Sequence, residues 1–301
     1  MGSVVISVDA ELGWGFHDFA EPPMERIEAA RDGWRSLVDL FDRFSVPATW
    51  AVVGHLFWDD CDGVHPDHPA SPDWFSTERT EWADRPDLRF GGTVLEALLG
   101  SDVDHDVGSH TFSHVVATED WVSRQTFAAD VEMGVEALER RGIPVQSFVY
   151  PRNYVAHRDV LVENDIVTYR GERSLPQSTV GRLAAKLGPA VSSNRVRLVD
   201  PFVDEYGLVV VPPSLYLYGF EGSLATVVDR IWTDPMLAHA RQGIDRAAMD
   251  DGIFHLWLHP NNLIDTPAVD RLATVLAYLD RRRHETSLRV ETMADVAHRV
   301  T

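Results

Sequence analysis

A chain of 301 residues with 45% hydrophobic content can bury one large core, and single α/β barrels reach this length, so one catalytic domain spanning 1–301 is expected. Its formal net charge of -20, from 47 acidic against 27 basic residues with Lys186 the only lysine, repels phosphates and argues against nucleic acid as a partner. Acidity spread this evenly reads as a solvated surface suited to high salt, so a halophilic source is expected.

The N-terminus has no basic segment before its short apolar run, which reads as a cytoplasmic rather than an exported chain. No stretch approaches the roughly 20 apolar residues of a membrane helix. β-Branched runs then alternate with amphipathic stretches in the grammar of βα units: strand 3–8, helix 24–44, strand 48–53. Residues 59–87, rich in Asp, Pro, His and Trp, have no clean period and read as an insertion over the active face. Its single cysteine, Cys61, excludes an internal disulfide and a zinc cluster built of cysteines. Trp58, Trp74 and Trp82 are expected mainly to pack the insertion onto the barrel, with stacking on sugar rings as the alternative.

Helix 91–99, a short segment 105–108, helix 123–141 and strand 146–150 follow. Further strands are expected at 166–170, 208–211, 253–258 and 287–290, with helices at 224–249 and 267–283; residues 182–201 start helical and turn loop-like. Seven or eight strands spaced by helices favour a closed α/β barrel, the (β/α) class, over an open sheet.

Such barrels carry their working groups just beyond the C-terminal ends of the strands. Four strand ends here carry polar groups: Asp9 and Glu11; His110 and His114; Arg152 and Asn153; and His259. His110 and His114 stand four apart, which on a helical turn aims both imidazoles one way and can hold a divalent metal. Asp9 and Glu11, two apart, point to one side of a continuing strand, so one can bind metal while the other acts as a base. His259, closing an apolar strand, is placed as a general acid, whereas His255 inside that strand reads as a core histidine.

Taken in order, these motifs resemble the polysaccharide deacetylase, or NodB-homology, family over most of the chain. Asp9-Ala10-Glu11 corresponds to the family's first motif and His110-Thr111-Phe112-Ser113-His114 to its second. Tyr150-Pro151-Arg152-Asn153 lies at the third and Leu256 to His259 at the last. The resemblance implies an irregular seven-stranded barrel, a divalent metal held by Glu11, His110 and His114, Asp9 as base, Arg152 orienting it and His259 as acid. It implies further that Leu256 or Leu258 lines an acetyl pocket, with Tyr150 and Asn153 beside the substrate. Two departures stand out: Ala10 replaces the usual second aspartate, leaving Asp9 as a rival metal ligand, and Arg152 follows the proline where many members have an arginine before it, so it faces either Asp9 or the substrate. The aspartate that supports the acid histidine in many members has no counterpart. Arg170, near where it would lie, binds an anionic substrate group or forms a plain strand-end ion pair.

The implied reaction is hydrolysis of an N-acetyl group on an amino sugar or glycan precursor. Zinc is the expected metal, although His/carboxylate sites also suit other first-row divalent ions. Hydrolysis of another linear or cyclic amide and a metal-free carbohydrate-binding role stay open as alternatives.

Overall fold

A computed structural model describes residues 1–171, 196–219 and 234–301. The core is a parallel sheet ordered β7-β5-β4-β3-β2-β1-β9 and curled into a half-barrel with helices around it. Its strands are β1 (Ser3–Ala10), β2 (Thr49–Val52), β3 (Asp106–Ser109), β4 (Ser147–Val149), β5 (Thr168–Arg170), β7 (Val209–Val210) and β9 (Ile253–Leu258). Three short strands complete it: β6 (Phe202–Val203), antiparallel to β7; β8 (Leu215–Tyr216), parallel to β9; and β10 (Arg289–Glu291), which pairs with the start of β1. Residues 211–214 carry the chain from β7 across to β8, with Val211 N–H bonded to Tyr169 O on one side and Ser214 N–H to His255 O on the other.

The helices are α1 (Met24–Phe44), α2 (Ser76–Arg79), α3 (Pro86–Arg89), α4 (Thr93–Leu99), α5 (Arg124–Glu139), α6 (Asp159–Glu163), α7 (Pro235–Met249), α8 (Thr266–Glu285) and α9 (Met293–Val300). Among the described residues none is long and apolar enough to cross a membrane. The expected elements recur with ends moved by a few residues. Helix 91–99 begins only at Thr93 because Gly92 has φ +49, and α5 begins where the Ser123 hydroxyl accepts the Thr126 N–H. Of the expected helix 224–249, only Pro235–Met249 lies within the described residues, and 182–195 lies outside them.

Strand alternation sorts the core into two shells. On β1, Val4, Ile6, Val8 and Ala10 face the helices, joined by Trp50, Phe148, Leu256 and Leu258 from neighbouring strands. Val5 faces inward with Ala51, Val149, Val209, Val211 and Ile253, and α9 closes that end of the barrel with Met293 and Val296. Above this apolar plug the interior turns polar, through Ser7, His255, Asp9 and Arg170, all buried. His255 is the core histidine the sequence implied: its Nδ1 faces the carbonyls of Val211 and Pro212, and its Nε2 lies 2.8 Å from the Ser7 hydroxyl.

Helix α1 shows why the strand ends are held so closely. Its buried stripe Ile27, Ala30, Trp34, Leu37, Val38 and Phe41 recurs at three- and four-residue spacing, and Ser45 in the left-handed region ends it. Gly33 lies against the turn after β9, where an added Cβ would fall 2.1 Å from Pro260 O. Gly33→Ala is therefore expected to cost about 1–3 kcal/mol in urea unfolding and to displace the turn beginning at His259.

Burial also sets the response to acid. It lowers His255 to about 3, helped by the charge of Arg170, and lowers His105 to about 4. A folded pKa below the unfolded value near 6.5 means that the unfolded chain binds more protons between those values, so stability falls as pH drops from about 6.5. Each such histidine adds up to about 1.4 kcal/mol per pH unit in that window. Urea midpoints should fall between pH 7 and pH 5, and the fall should be shallower in His105→Gln; an equal fall in the variant rejects the assignment for His105.

Candidate metal centre

At the C-terminal end of the barrel, Glu11 follows β1, His110 follows β3 and His259 follows β9. Glu11 Oε1 lies 3.3 Å from His110 Nε2, 3.3 Å from His114 Nε2 and 3.6 Å from His259 Nε2. A tetrahedral ion with bonds of about 2.0–2.1 Å to nitrogen and oxygen separates its ligand atoms by roughly 3.3–3.4 Å, which matches the distances from Glu11 Oε1 to His110 and His114. His110 Nδ1 donates to Val149 O at 2.6 Å, so Nε2 of the neutral ring turns a lone pair to the centre. Both ring nitrogens of His114 are buried without a hydrogen-bond partner. Burial raises the Glu11 pKa, but the three imidazoles outweigh it and hold the carboxyl well below its ordinary value. Its ion-pair partners among the described residues are imidazoles only, with no guanidinium. These donors fit a divalent cation.

Room for the longer glutamate comes from Gly15, where a Cβ would fall 2.0 Å from Glu11 Oε2. The displaced acid after Ala10 is thus matched by a glycine four residues on. Asp9, on the same face of β1, belongs to a second group with Glu11 and His259.

Arg170, not Arg152, meets Asp9. Its Nη1 and Nη2 donate to the two Asp9 oxygens at 2.6 Å each, Nη1 also reaches Ser7 Oγ at 3.0 Å, and Nε donates to Asn153 Oδ1 at 2.8 Å. Burial raises the Asp9 pKa, while the Arg170 charge and its bonds prevail and hold it below the ordinary value. Arg152 instead pairs with Asp18 at 2.7 Å and covers the Phe19 ring. The physical reason is alternation: β5 pairs Arg170 with Val149, which faces inward, whereas Arg152 lies in a turn beyond β4 with φ +55. Arg170 is thus the strand-end ion pair, its other expected role as a ligand for a substrate anion being blocked by Asp9.

The same parity corrects three pocket assignments. Leu256 and Leu258 pack in the helix-facing shell, and so does Tyr150, stacked on Phe127 at 5.7 Å. The β9 side chain that shares the inward face with His259 is Trp257, which covers Arg170 at 4.5 Å and stacks on Tyr216 at 4.3 Å. Asn153 Oδ1 accepts from Arg170 Nε, and Arg170 in turn holds Asp9.

The loop holding the two histidines is not a helical turn. Thr111 and His114 have φ +62 and +65, and Asp130 of α5 holds the loop from beneath. Its carboxylate accepts from Ser113 N–H, Ser113 Oγ, Val115 N–H and His68 Nε2. Burial raises the Asp130 pKa, but the His68 bond and charge lead the opposing effects that leave it lowered. Gly134 lets α5 approach, since a Cβ there would fall 2.8 Å from the Thr111 carbonyl carbon. Asp130 was invisible as a functional residue because its partners are distant in sequence; its place on the buried stripe of α5 was the only signal.

A cleft of about 480 Å³ beside this loop is lined by His17, Asp18, Phe19, Trp74 and Trp121 among others. Trp74 Nε1 donates to Ser113 Oγ at 2.9 Å, and its ring meets Trp121 at 4.8 Å. Of the three insertion tryptophans only Trp74 lines this cleft. Trp82 packs edge-on to Trp14 and Trp58 against Phe112. Removing the loop support should be costly: Asp130→Ala is expected to lose about 3–5 kcal/mol in urea unfolding, with faster amide exchange at Ser113 and Val115.

No protein-family model matches the chain, and no curated protein matches it in sequence. Solved structures do. A protein designated a polysaccharide deacetylase from Mycobacterium smegmatis aligns over 99% of this chain and 89% of its own, with a TM-score of 0.60 and 16% identity. One so designated from Pseudomonas aeruginosa PAO1 gives 0.59 at 12% identity over 98% and 89%. Puue allantoinase gives 0.57 at 12% over the same shares. From end to end, this chain has the barrel fold of proteins designated polysaccharide deacetylases.

Proposed function

We propose that this chain is a divalent-metal-dependent hydrolase that removes the N-acetyl group from an amino sugar. The observation that carries this reading is the buried Glu11 carboxylate, flanked among the described residues by imidazoles and no guanidinium, beside an Asp9 that has its own arginine. Glu11, His110 and His114 would hold the ion, which when bound supplies Lewis acidity to the amide carbonyl and to a water. First-row divalent ions fit such a set, zinc foremost.

Asp9 takes the proton from the attacking water, and Arg170 fixes the direction of its carboxylate. The His259 imidazole, 18% exposed, with Nε2 3.7 Å from Asp9 Oδ2, faces both carboxylates and protonates the departing amine. Trp257 walls this side, and the turn at Pro260 beside Gly33 holds the imidazole in place. Trp74 and Trp121 offer apolar ring faces near the histidine loop, with Asp18 and Asp73 as acceptors for hydroxyls, the surface chemistry that a sugar ring needs. The designated deacetylases among the structural neighbours support the same reading.

The test is acetate release from N-acetylglucosamine oligosaccharides, with metal content measured in parallel. Chelation should abolish release and a divalent ion restore it. His110→Ala should lose both ion and activity. His259→Ala should keep the ion while kcat falls about 10²- to 10⁴-fold. Opening of a cyclic ureide without acetate release would transfer the chemistry to a different amide, and a centre that takes up no ion would overturn the reading.

A further inference from the structure

A second set of ligand-type side chains converges beneath the insertion, away from the residues just described. His55 lies in the turn after β2, Cys61 and His65 lie in the loop that follows, and Glu78 lies in α2. The side chains of His55, His65 and Glu78 are at most 1% exposed, and one donor atom from each of the four lies within 4.8 Å of the others. His55 Nε2 is 2.9 Å from Glu78 Oε1, His65 Nε2 is 2.9 Å from Glu78 Oε2, and Cys61 Sγ is 3.6 Å from His65 Nε2. Around a tetrahedral zinc ion, bonds of about 2.3 Å to sulfur and 2.0–2.1 Å to nitrogen put the two atoms roughly 3.5–3.6 Å apart, as here, whereas the 2.9 Å imidazole–carboxylate separations would widen by about 0.4 Å to reach the spacing of bound nitrogen and oxygen.

Counting donors and acceptors separates a metal site from a hub of neutral hydrogen bonds. Both ring nitrogens of His55 face groups that only accept: Nδ1 lies 3.3 Å from Arg89 O and Nε2 2.9 Å from Glu78 Oε1, so a neutral ring with one proton satisfies only one of them. With the proton on Nδ1, Nε2 is a buried lone pair opposed to a carboxylate oxygen, a conflict that only a second ring proton or a cation relieves. His110 shows the same arrangement, with Nδ1 on a carbonyl and Nε2 turned to Glu11. In the hub reading Glu78 is served by Arg89, through Nε at 3.1 Å and Nη2 at 2.7 Å to Oε1, and by His65 at Oε2. His55 Nε2 is then left opposed to an acceptor. A cation removes that conflict. Arg89 binds at Oε1, which leaves Oε2 on the His65 side free to act as a ligand; the Gly63 N–H points to Cys61 Sγ at 3.3 Å, but burial pushes this thiol up to about 11, so an ion would bind it with loss of its proton.

We propose that His55, Cys61, His65 and Glu78 form a second metal site, for zinc or a similar borderline-soft divalent ion, that pins the insertion to the barrel. A thiolate and two imidazoles select such ions over magnesium or calcium. Four protein ligands leave no open position, the mark of a structural rather than a catalytic site. A zinc cluster of cysteines is excluded by composition, but this mixed set needs only one. The pinned segment also supplies His68 to Asp130 and Trp74 to Ser113, and the His55 N–H binds Phe112 O, so the ion would steady the cover of the histidine loop.

Cobalt substitution of the whole protein tests this, because Cys61 is its only thiol and the centre at Glu11 has none. The cobalt protein should show the intense near-ultraviolet band of thiolate-to-cobalt charge transfer, kept in His110→Ala and lost in Cys61→Ser. Zinc analysis should give two ions per chain in the unaltered protein and one in His110→Ala. Absence of the band from the cobalt-loaded unaltered protein, with Cys61 equally reactive to a thiol reagent with and without metal, would overturn the proposal. That readout needs no variant to fold, and it stands or falls independently of the hydrolase reading, because it uses none of the residues around Glu11.

Discussion

The structure turns on two carboxylates buried at the end of one strand. Placing Asp9 and Glu11 out of water is costly unless each meets positive charge. Asp9 has Arg170, locked in a bidentate pair and covered by Trp257. Glu11 has no such partner among the described residues, only imidazoles that are cationic when protonated. A polar interior held this way needs support from below, and the apolar plug of Val5, Val149, Val209 and Met293 provides it. It also needs its walls close, which explains the glycines at 15, 33 and 134, each where a Cβ would collide with a neighbouring atom.

The same physics governs the histidine loop. Two non-glycine residues with positive φ store strain of the kind that persists only where surroundings enforce it. Asp130 enforces it by accepting from two backbone N–H groups of the loop, and its own burial is offset by His68, which comes from the insertion. The irregular segment is therefore part of the construction of the centre rather than an ornament on the barrel. A link runs from its buried His55–Glu78 cluster through Phe112 to the loop.

Much of the fold was legible before any coordinates. Period-2 and period-3.6 patterns located most of the parallel strands and the helices α1, α4, α5, α7 and α8, though not the short α6, the closing α9 or the two-residue strands β6 and β8, and strand-end polarity picked out Asp9, Glu11, His110, His114 and His259 as neighbours, which the structure brings together. Residue spacing alone missed the direction of each side chain in the short strands. A three-residue strand such as β5 has too little pattern to show its parity, so Arg170 and Arg152 could not be told apart. For β9, the inward position of His259 already required Trp257 on its face and Leu256 and Leu258 on the other, a consequence of alternation that the family motif obscured.

What the sequence determined by itself was the inventory and its order: one thiol, two histidines four apart, acids two apart, and strands spaced for a barrel. Such features are local, set by composition, periodicity and chain direction. Only the tertiary structure decided the pairings, because Asp9 with Arg170, Glu11 with His110, and His68 with Asp130 join residues 161, 99 and 62 positions apart. Which arginine offsets a buried acid, and which lone pairs are left facing one another, depend on how the sheet curls and which side chains then share its interior.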